Sequence, residues 1–298
     1  MLAFYLAPLY NLTVNFAALG ISCMDYEIKT YYVDKPLIIG RALDVFTPET
    51  VLKDTAFFIV HGGGWRAGSR TSFHKIMEAL AQRGYISASA DYRLNAQNAF
   101  CQLADIRAAY DKFASLLKQN GRPVKIVVYG ESAGAHLASL MTCAKPNECG
   151  EENNLENEWV KPHLGIFQAT PVDFLPYESI MPHFWNTMQN IAGAPYRENP
   201  EIYERLSLKN YIRKDNPPLF FLEAERENMF MPQYTLEVVK KHRAMGINSQ
   251  WKMYRGVEHG FFFDLTRIAQ RQALEDICNF ADGKFFTDIP EKLPSLFD

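Results

Sequence analysis

The chain has 298 residues, 48% of them hydrophobic, and a formal net charge of −3. That is enough to bury one sizeable core, and the dispersed basic residues leave no electrostatic footprint for nucleic acid. The five cysteines are odd in number and widely spaced with no C-x-x-C pair, so neither a zinc site nor a disulfide framework is indicated; a Cys143–Cys149 bridge is left open only for an exported protein. Residues 1 to 22 are apolar and aromatic, yet no Lys or Arg precedes Lys29, as the n-region of a signal peptide would require. Pro8, Asn11 and Asn15 interrupt the segment, which argues against a stable membrane span. We read residues 1–30 as a lid or capping segment and residues 31–298 as the main domain. A cytoplasmic location is expected, with export left open.

Strand-like segments run from Tyr26 to Tyr32 and from Arg41 to Phe46, and Thr55–Val60 is a continuous apolar run typical of a strand buried on both faces. A helix is expected over Phe73–Arg83 with Gly84 behind its end, then a strand over Tyr85–Ala90 and a helix over Ala104–Gln119 stopped by Gly121. Lys125–Tyr129 and His163–Ala169 read as strands, with a helix over Ala135–Met141 after the first. The acidic stretch from Asn147 to Glu158 reads as a solvated loop. Residues 176–216, rich in Pro, Tyr and Phe, read as a cap-like insertion. Two more strands, Leu219–Leu222 and Gln250–Tyr254, flank a helix over Gln233–Met245, and a last helix spans Leu265–Phe280. The alternation of strand and helix predicts an α/β fold, a mostly parallel sheet with helices on both faces.

Gly130-Glu131-Ser132-Ala133-Gly134 sits between a strand and a helix, where a sharp corner holds a serine hydroxyl out of the sheet. Glycine on either side lets the backbones pass closely. Acyl transfer through a serine also needs a base, a carboxylate to orient it and donors for the developing oxyanion. His61-Gly-Gly-Gly-Trp65 ends a buried strand, the right place for a loop that turns backbone amides inward; a phosphate-binding reading fails because the loop lacks the lysine. His259 follows the strand ending at Tyr254, at a C-terminal sheet edge where α/β sites assemble. The other six histidines are structural by default. Glu223, Glu225 and Glu227 compete to orient His259; Glu223 lies too close to its strand end, and Glu227 is favoured over Glu225.

The ordered set His61-Gly-Gly-Gly-Trp65, Asp91-Tyr-Arg-Leu94, Gly130-Glu-Ser-Ala-Gly134 and Glu258-His-Gly-Phe261 resembles the α/β-hydrolase superfamily, and within it the hormone-sensitive-lipase-like and BD-FAE-like esterases. The resemblance covers about residues 31 to 282. It implies Ser132 as nucleophile, His259 as general base, Glu227 as the acid, and the amides of Gly63, Gly64 and Ala133 as oxyanion donors. Glu227 stands where the family usually has aspartate, so an extra methylene must be accommodated. Trp65, Glu131, Phe184, Trp185, Phe230 and Phe262 are the candidate substrate-facing residues. The implied activity is hydrolysis of small acyl or acetyl esters, carbohydrate esters among them. The implied partner is a small-molecule ester, with no cofactor or metal; homo-oligomerisation is left open. An arylformamidase or other amide hydrolase of the same fold is the first alternative, and a non-catalytic ligand-binding member the second.

Overall fold

A computed structural model describes residues 25–34, 41–94, 96–122, 124–153, 155–176, 180–286 and 288–293. The lid reading falls mostly on residues 1–24, outside the described residues. Eight strands form one sheet: β1 (Tyr26–Tyr32), β2 (Ala42–Pro48), β3 (Thr55–Val60), β4 (Ile86–Ala90), β5 (Lys125–Glu131), β6 (Leu164–Gln168), β7 (Leu219–Arg226) and β8 (Gln250–Glu258). Their order is β1-β2-β4-β3-β5-β6-β7-β8. β2 runs antiparallel to both β1 and β4, and every pair from β4 through β8 is parallel. The helices are α1 (His74–Ala81), α2 (Ala99–Gln119), α3 (Ala133–Cys143), α4 (Pro182–Ala192), α5 (Pro200–Arg205), α6 (Pro232–Ala244) and α7 (Ile268–Ala281).

The central strands β3, β5 and β6 are largely apolar because both sheet faces are covered. Period-two alternation divides their side chains between two cores. From β3, Ala56, Phe58 and Val60 join the core beneath α2, α3 and α6, while Phe57 and Ile59 join the one beneath α1 and α7. The edge strand β1 is mostly exposed and carries Glu27 and Lys29, charges that discourage pairing with another sheet.

Several boundaries differ from the sequence expectation, each for a local reason. α2 begins at Ala99, earlier than expected, because the Asn98 side chain accepts from the Cys101 amide and caps it. β7 and β8 run on to Arg226 and Glu258 through a pairing irregularity at Ala224/Arg226. The stretch 176–216 holds two short helices, α4 and α5, each opened by a proline at its first turn. Cys143 and Cys149 are buried free thiols with no bridge between them.

The acidic stretch after α3 is not wholly solvated. Glu151 is buried and faces the equally buried Arg107 of α2, whose Nε donates to it at 2.7 Å. The same guanidinium donates to the carbonyls of Met141, Ala144 and Lys145, closing the C-terminal end of α3. Glu151 in turn accepts from the amides of Asn147 and Cys149. Replacing Arg107 by methionine would leave a buried carboxylate without its counter-charge and take one donor from each of three carbonyls. We expect a loss of about 3–5 kcal/mol in chemical denaturation. A loss under about 1 kcal/mol would show that the pair does not hold this end of α3.

Candidate active site

Ser132 is the residue between β5 and α3, at φ 52° and ψ −119°. Its amide donates to the Gln168 carbonyl at 2.9 Å, tying the corner to β6. The flanking glycines are required by contact. A Cβ on Gly130 would lie 2.6 Å from the Gly134 carbonyl oxygen, and one on Gly134 would lie 2.3 Å from that of Val60. The turn therefore closes only with glycine on both sides.

His259 follows β8 directly. Its Nε2 lies 2.9 Å from Ser132 Oγ, and its Nδ1 lies 2.9 and 2.8 Å from the two carboxylate oxygens of Glu227. A carboxylate at Nδ1 keeps the proton there, so Nε2 is free to accept from the serine hydroxyl. The Glu227 side chain is fully buried, and its Oε1 also accepts from the amides of Met229 and Phe230. Those amides hold the longer side chain in place, which answers the question of the extra methylene. Burial alone would depress the His259 pKa; the hydrogen bond and charge of Glu227, with the charge of Glu131, outweigh it and hold the imidazole above its ordinary value.

The two rival glutamates are occupied elsewhere. Glu223 is buried against Thr235, which donates to it at 2.6 Å, and burial pushes its carboxyl well up. Glu225 accepts from the Gly256 amide at 2.8 Å, inside the irregular stretch of the β7–β8 pair. A break in strand pairing re-aims side chains. Here it leaves Glu225 at the exposed bend of β8 and lets Glu227 reach the histidine.

The loop from His61 to Trp65 folds over the corner. Gly63 has φ 112°, and a Cβ there would sit 2.2 Å from the Ala67 carbonyl oxygen. Gly64 has φ 59° with open space beside it. Ala133 is the first residue of α3, and a helix's first amides have no intrahelical acceptor. The Glu131 carboxylate lies against the Gly62 amide, beside the histidine. Burial pushes its pKa up, while the nearby His259 charge and that amide pull it down.

Of the expected substrate-facing residues, Phe184 and Phe230 meet beside the histidine: their rings are 4.9 Å apart, and Phe230 is 5.7 Å from the His259 ring. Trp65 is fully buried, packed on His136 and Phe174, with Nε1 donating to His136 Nδ1 at 3.3 Å. Burial lowers the His136 pKa to about 4, consistent with a neutral ring whose Nε2 donates to the Leu206 carbonyl. Trp185 packs on Tyr196 and Tyr203 within the insertion. Phe262 lies under the other sheet face against Tyr129, 1% exposed. These three belong to packing. Among the described residues no group of three or more His, Cys, Asp or Glu is placed to hold a metal, and no helix is long and apolar enough to cross a membrane.

With this geometry in view, the BD-FAE family model matches residues 43–241, about two thirds of the chain. The chain belongs to the BD-FAE family. It is 28% identical over 203 residues to the probable carboxylic ester hydrolase LipM of Mycobacterium tuberculosis, covering 64% of this chain and 46% of that protein. It is 24% identical over 249 residues to an acetylxylan esterase of Xylanibacter ruminicola, covering 81% and 48%. The chain thus spans about half the length of the curated relatives it matches. Among solved structures, esterase B of Lactobacillus rhamnosis superposes with a TM-score of 0.74 at 18% identity, covering 88% and 86% of the two chains. Esterase 2 of Thermogutta terrifontis with bound butyrate superposes at 0.69 and 21% identity, covering 88% and 96%. At these identities the likeness speaks to the fold, which is that of the α/β hydrolases. Within this BD-FAE family match lie Ser132, Glu227 and the glycine loop, while His259 follows the matched residues.

Gln168 belongs to no sequence motif of the site. It is a fully buried polar residue ending the apolar strand β6, and that contrast was the available signal. Its amide oxygen accepts from the amides of Phe261 (2.8 Å) and Phe262 (3.1 Å), while its nitrogen donates to the Tyr129 hydroxyl at 2.9 Å.

Proposed function

We propose that this protein is a serine hydrolase that cleaves small carboxylic esters through an acyl-enzyme. The observation that carries the reading is the continuous hydrogen-bonded series from Ser132 Oγ through His259 to the buried Glu227 carboxylate. In this reading Ser132 attacks the ester carbonyl as His259 Nε2 takes its proton. The negative charge on the carbonyl oxygen is met by the amides of Gly63, Gly64 and Ala133, and Glu227 steadies the imidazolium. His259 then protonates the departing alkoxide, and water repeats the sequence on the acyl-serine.

Relatives named as a carboxylic ester hydrolase and an acetylxylan esterase support small acyl groups as substrates, sugar acetates among them. The Phe184–Phe230 pair supplies an apolar wall for the acyl chain beside the histidine. The test is a panel of p-nitrophenyl esters from acetate to palmitate, acetylated xylan, and N-formylkynurenine, with fluorophosphonate labelling of the same preparation. We expect labelling at Ser132, a maximum at acetate to butyrate, and little turnover of N-formylkynurenine. A maximum at long acyl chains overturns the small-ester assignment, and preference for the formamide moves the protein to amide chemistry. Folded protein that neither labels nor hydrolyses an ester would be a binding protein.

A further inference from the structure

Ser132 directly follows β5 and His259 directly follows β8, and β6 and β7 lie between those strands. At the usual strand spacing, their starting points are separated by roughly 14 Å across the sheet. The segment after β8 must travel back over the sheet to bring His259 Nε2 within 2.9 Å of Ser132 Oγ. Something must hold it there.

Gln168 ends β6, and touches both ends of that span. It pairs in register with Glu131, the residue before the serine, and with Leu222 of β7. Its main-chain carbonyl accepts the Ser132 amide at 2.9 Å. Its side-chain oxygen accepts the amides of Phe261 and Phe262, two and three residues beyond His259. The opposite side of that segment is held by Gln270 of α7, whose Nε2 donates to the Phe261 carbonyl at 2.7 Å. The orientation of the Gln168 amide follows from its neighbours: two backbone donors require its oxygen, and the Tyr129 hydroxyl takes its nitrogen. Both phenylalanines are buried, as is Gln168 itself, so no water is at hand to replace a lost acceptor.

We infer that Gln168 is a positioning residue that sets the reach between the serine and the histidine, with its main chain mooring one and its side chain mooring the other. It touches no reacting atom. Its effect is on geometry, and geometry enters the rate steeply: a misplacement of about 1 Å can cost on the order of a hundredfold.

The inference rests on the hydrolase reading for its kinetic consequence, and the test separates the two. Gln168→Met keeps the bulk and removes the acceptor. Gln168→Asn keeps the amide but is one methylene too short. Gln168→Glu keeps an oxygen for the two amides and another for the Tyr129 hydroxyl. With p-nitrophenyl acetate we expect kcat to fall about 10- to 100-fold in Gln168→Met and Gln168→Asn with KM changed less than about threefold, and to stay within about fivefold of wild type in Gln168→Glu. Hydrogen exchange at the Phe261 and Phe262 amides, read without substrate, should accelerate in the first two variants and not in the third. The inference is overturned by folded Gln168→Met that keeps kcat within about twofold of wild type. Should that variant not fold, equal kcat in Gln168→Asn and Gln168→Glu overturns it, as does unchanged exchange at the two amides. A wild-type protein that hydrolyses no ester defeats the hydrolase reading alone, because the exchange measurement still decides whether Gln168 moors the segment.

Discussion

Replacing Ser132 by alanine is expected to lower kcat for p-nitrophenyl acetate on the order of a million-fold, leaving only what the oxyanion amides and binding provide. The substitution removes one oxygen and little else. Ser132 sits at positive φ, where serine and alanine carry the same Cβ penalty, so the corner should form in both. The residue is buried at 7% exposure and packs among groups that stay in place. Thermal melting should therefore change little while fluorophosphonate labelling disappears. A variant that melts normally and keeps a tenth of wild-type turnover would remove Ser132 from the chemistry.

The second large effect is expected at Glu227. A glutamine there has one oxygen where the carboxylate has two. Glu227 Oε1 accepts from the Met229 and Phe230 amides, and both oxygens face His259 Nδ1. If the glutamine oxygen stays with the backbone amides, its NH2 group faces Nδ1 and forces the proton onto Nε2. That tautomer cannot take the serine proton. The corresponding swap in a serine-protease triad costs about ten thousandfold in kcat, and Glu227→Gln should approach that loss.

The pH profile carries the same assignment. His259 accepts a proton only when neutral, so kcat/KM must fall as pH drops through its pKa. Glu227 is the chief group holding that pKa above 6.5, with Glu131 adding to it. The acid limb of the wild-type profile should therefore lie above pH 6.5, and Glu227→Gln should move it downward. Glu225→Gln still offers an oxygen to the Gly256 amide at an exposed bend and should stay within about threefold of wild type. Equal losses in the two variants, or an unmoved limb in Glu227→Gln, would show that another group orients the histidine.

The parts of this site that could be read from the chain are those whose chemistry is local. A strand–turn–helix corner admits only glycine at Gly130 and Gly134, so the motif states its own geometry. The fold class followed from alternating strands and helices, because parallel strands need crossovers. What depends on pairing across the sheet was harder to read. Glu225 and Glu227 are two residues apart and chemically identical; the choice between them is made by the irregular β7–β8 pairing, which no periodicity within either strand announces. The aromatic residues separated for a similar reason. Phe230 reaches the histidine with Phe184 packed on it, while Trp65, Trp185 and Phe262 are equally aromatic yet fill the core or the insertion. Gln168 acts through contacts with residues 36 to 94 positions away, and only its place at the end of an apolar strand hinted at them.

Trp65 has one more consequence. It closes the glycine loop at φ 62°, with its ring wedged among His136, Phe174 and Phe184 and its carbonyl accepting from Gln102 of α2. A loop bearing three consecutive glycines would ordinarily be among the first parts of a protein to open. Here its last residue is embedded in the same core that holds α2 and α3 to the sheet, so the loop belongs to the cooperative unit and not to its fringe. The backbone freedom that lets its amides turn inward is thus confined to Gly63 and Gly64. On heating, the geometry around Ser132 should persist until the core itself gives way.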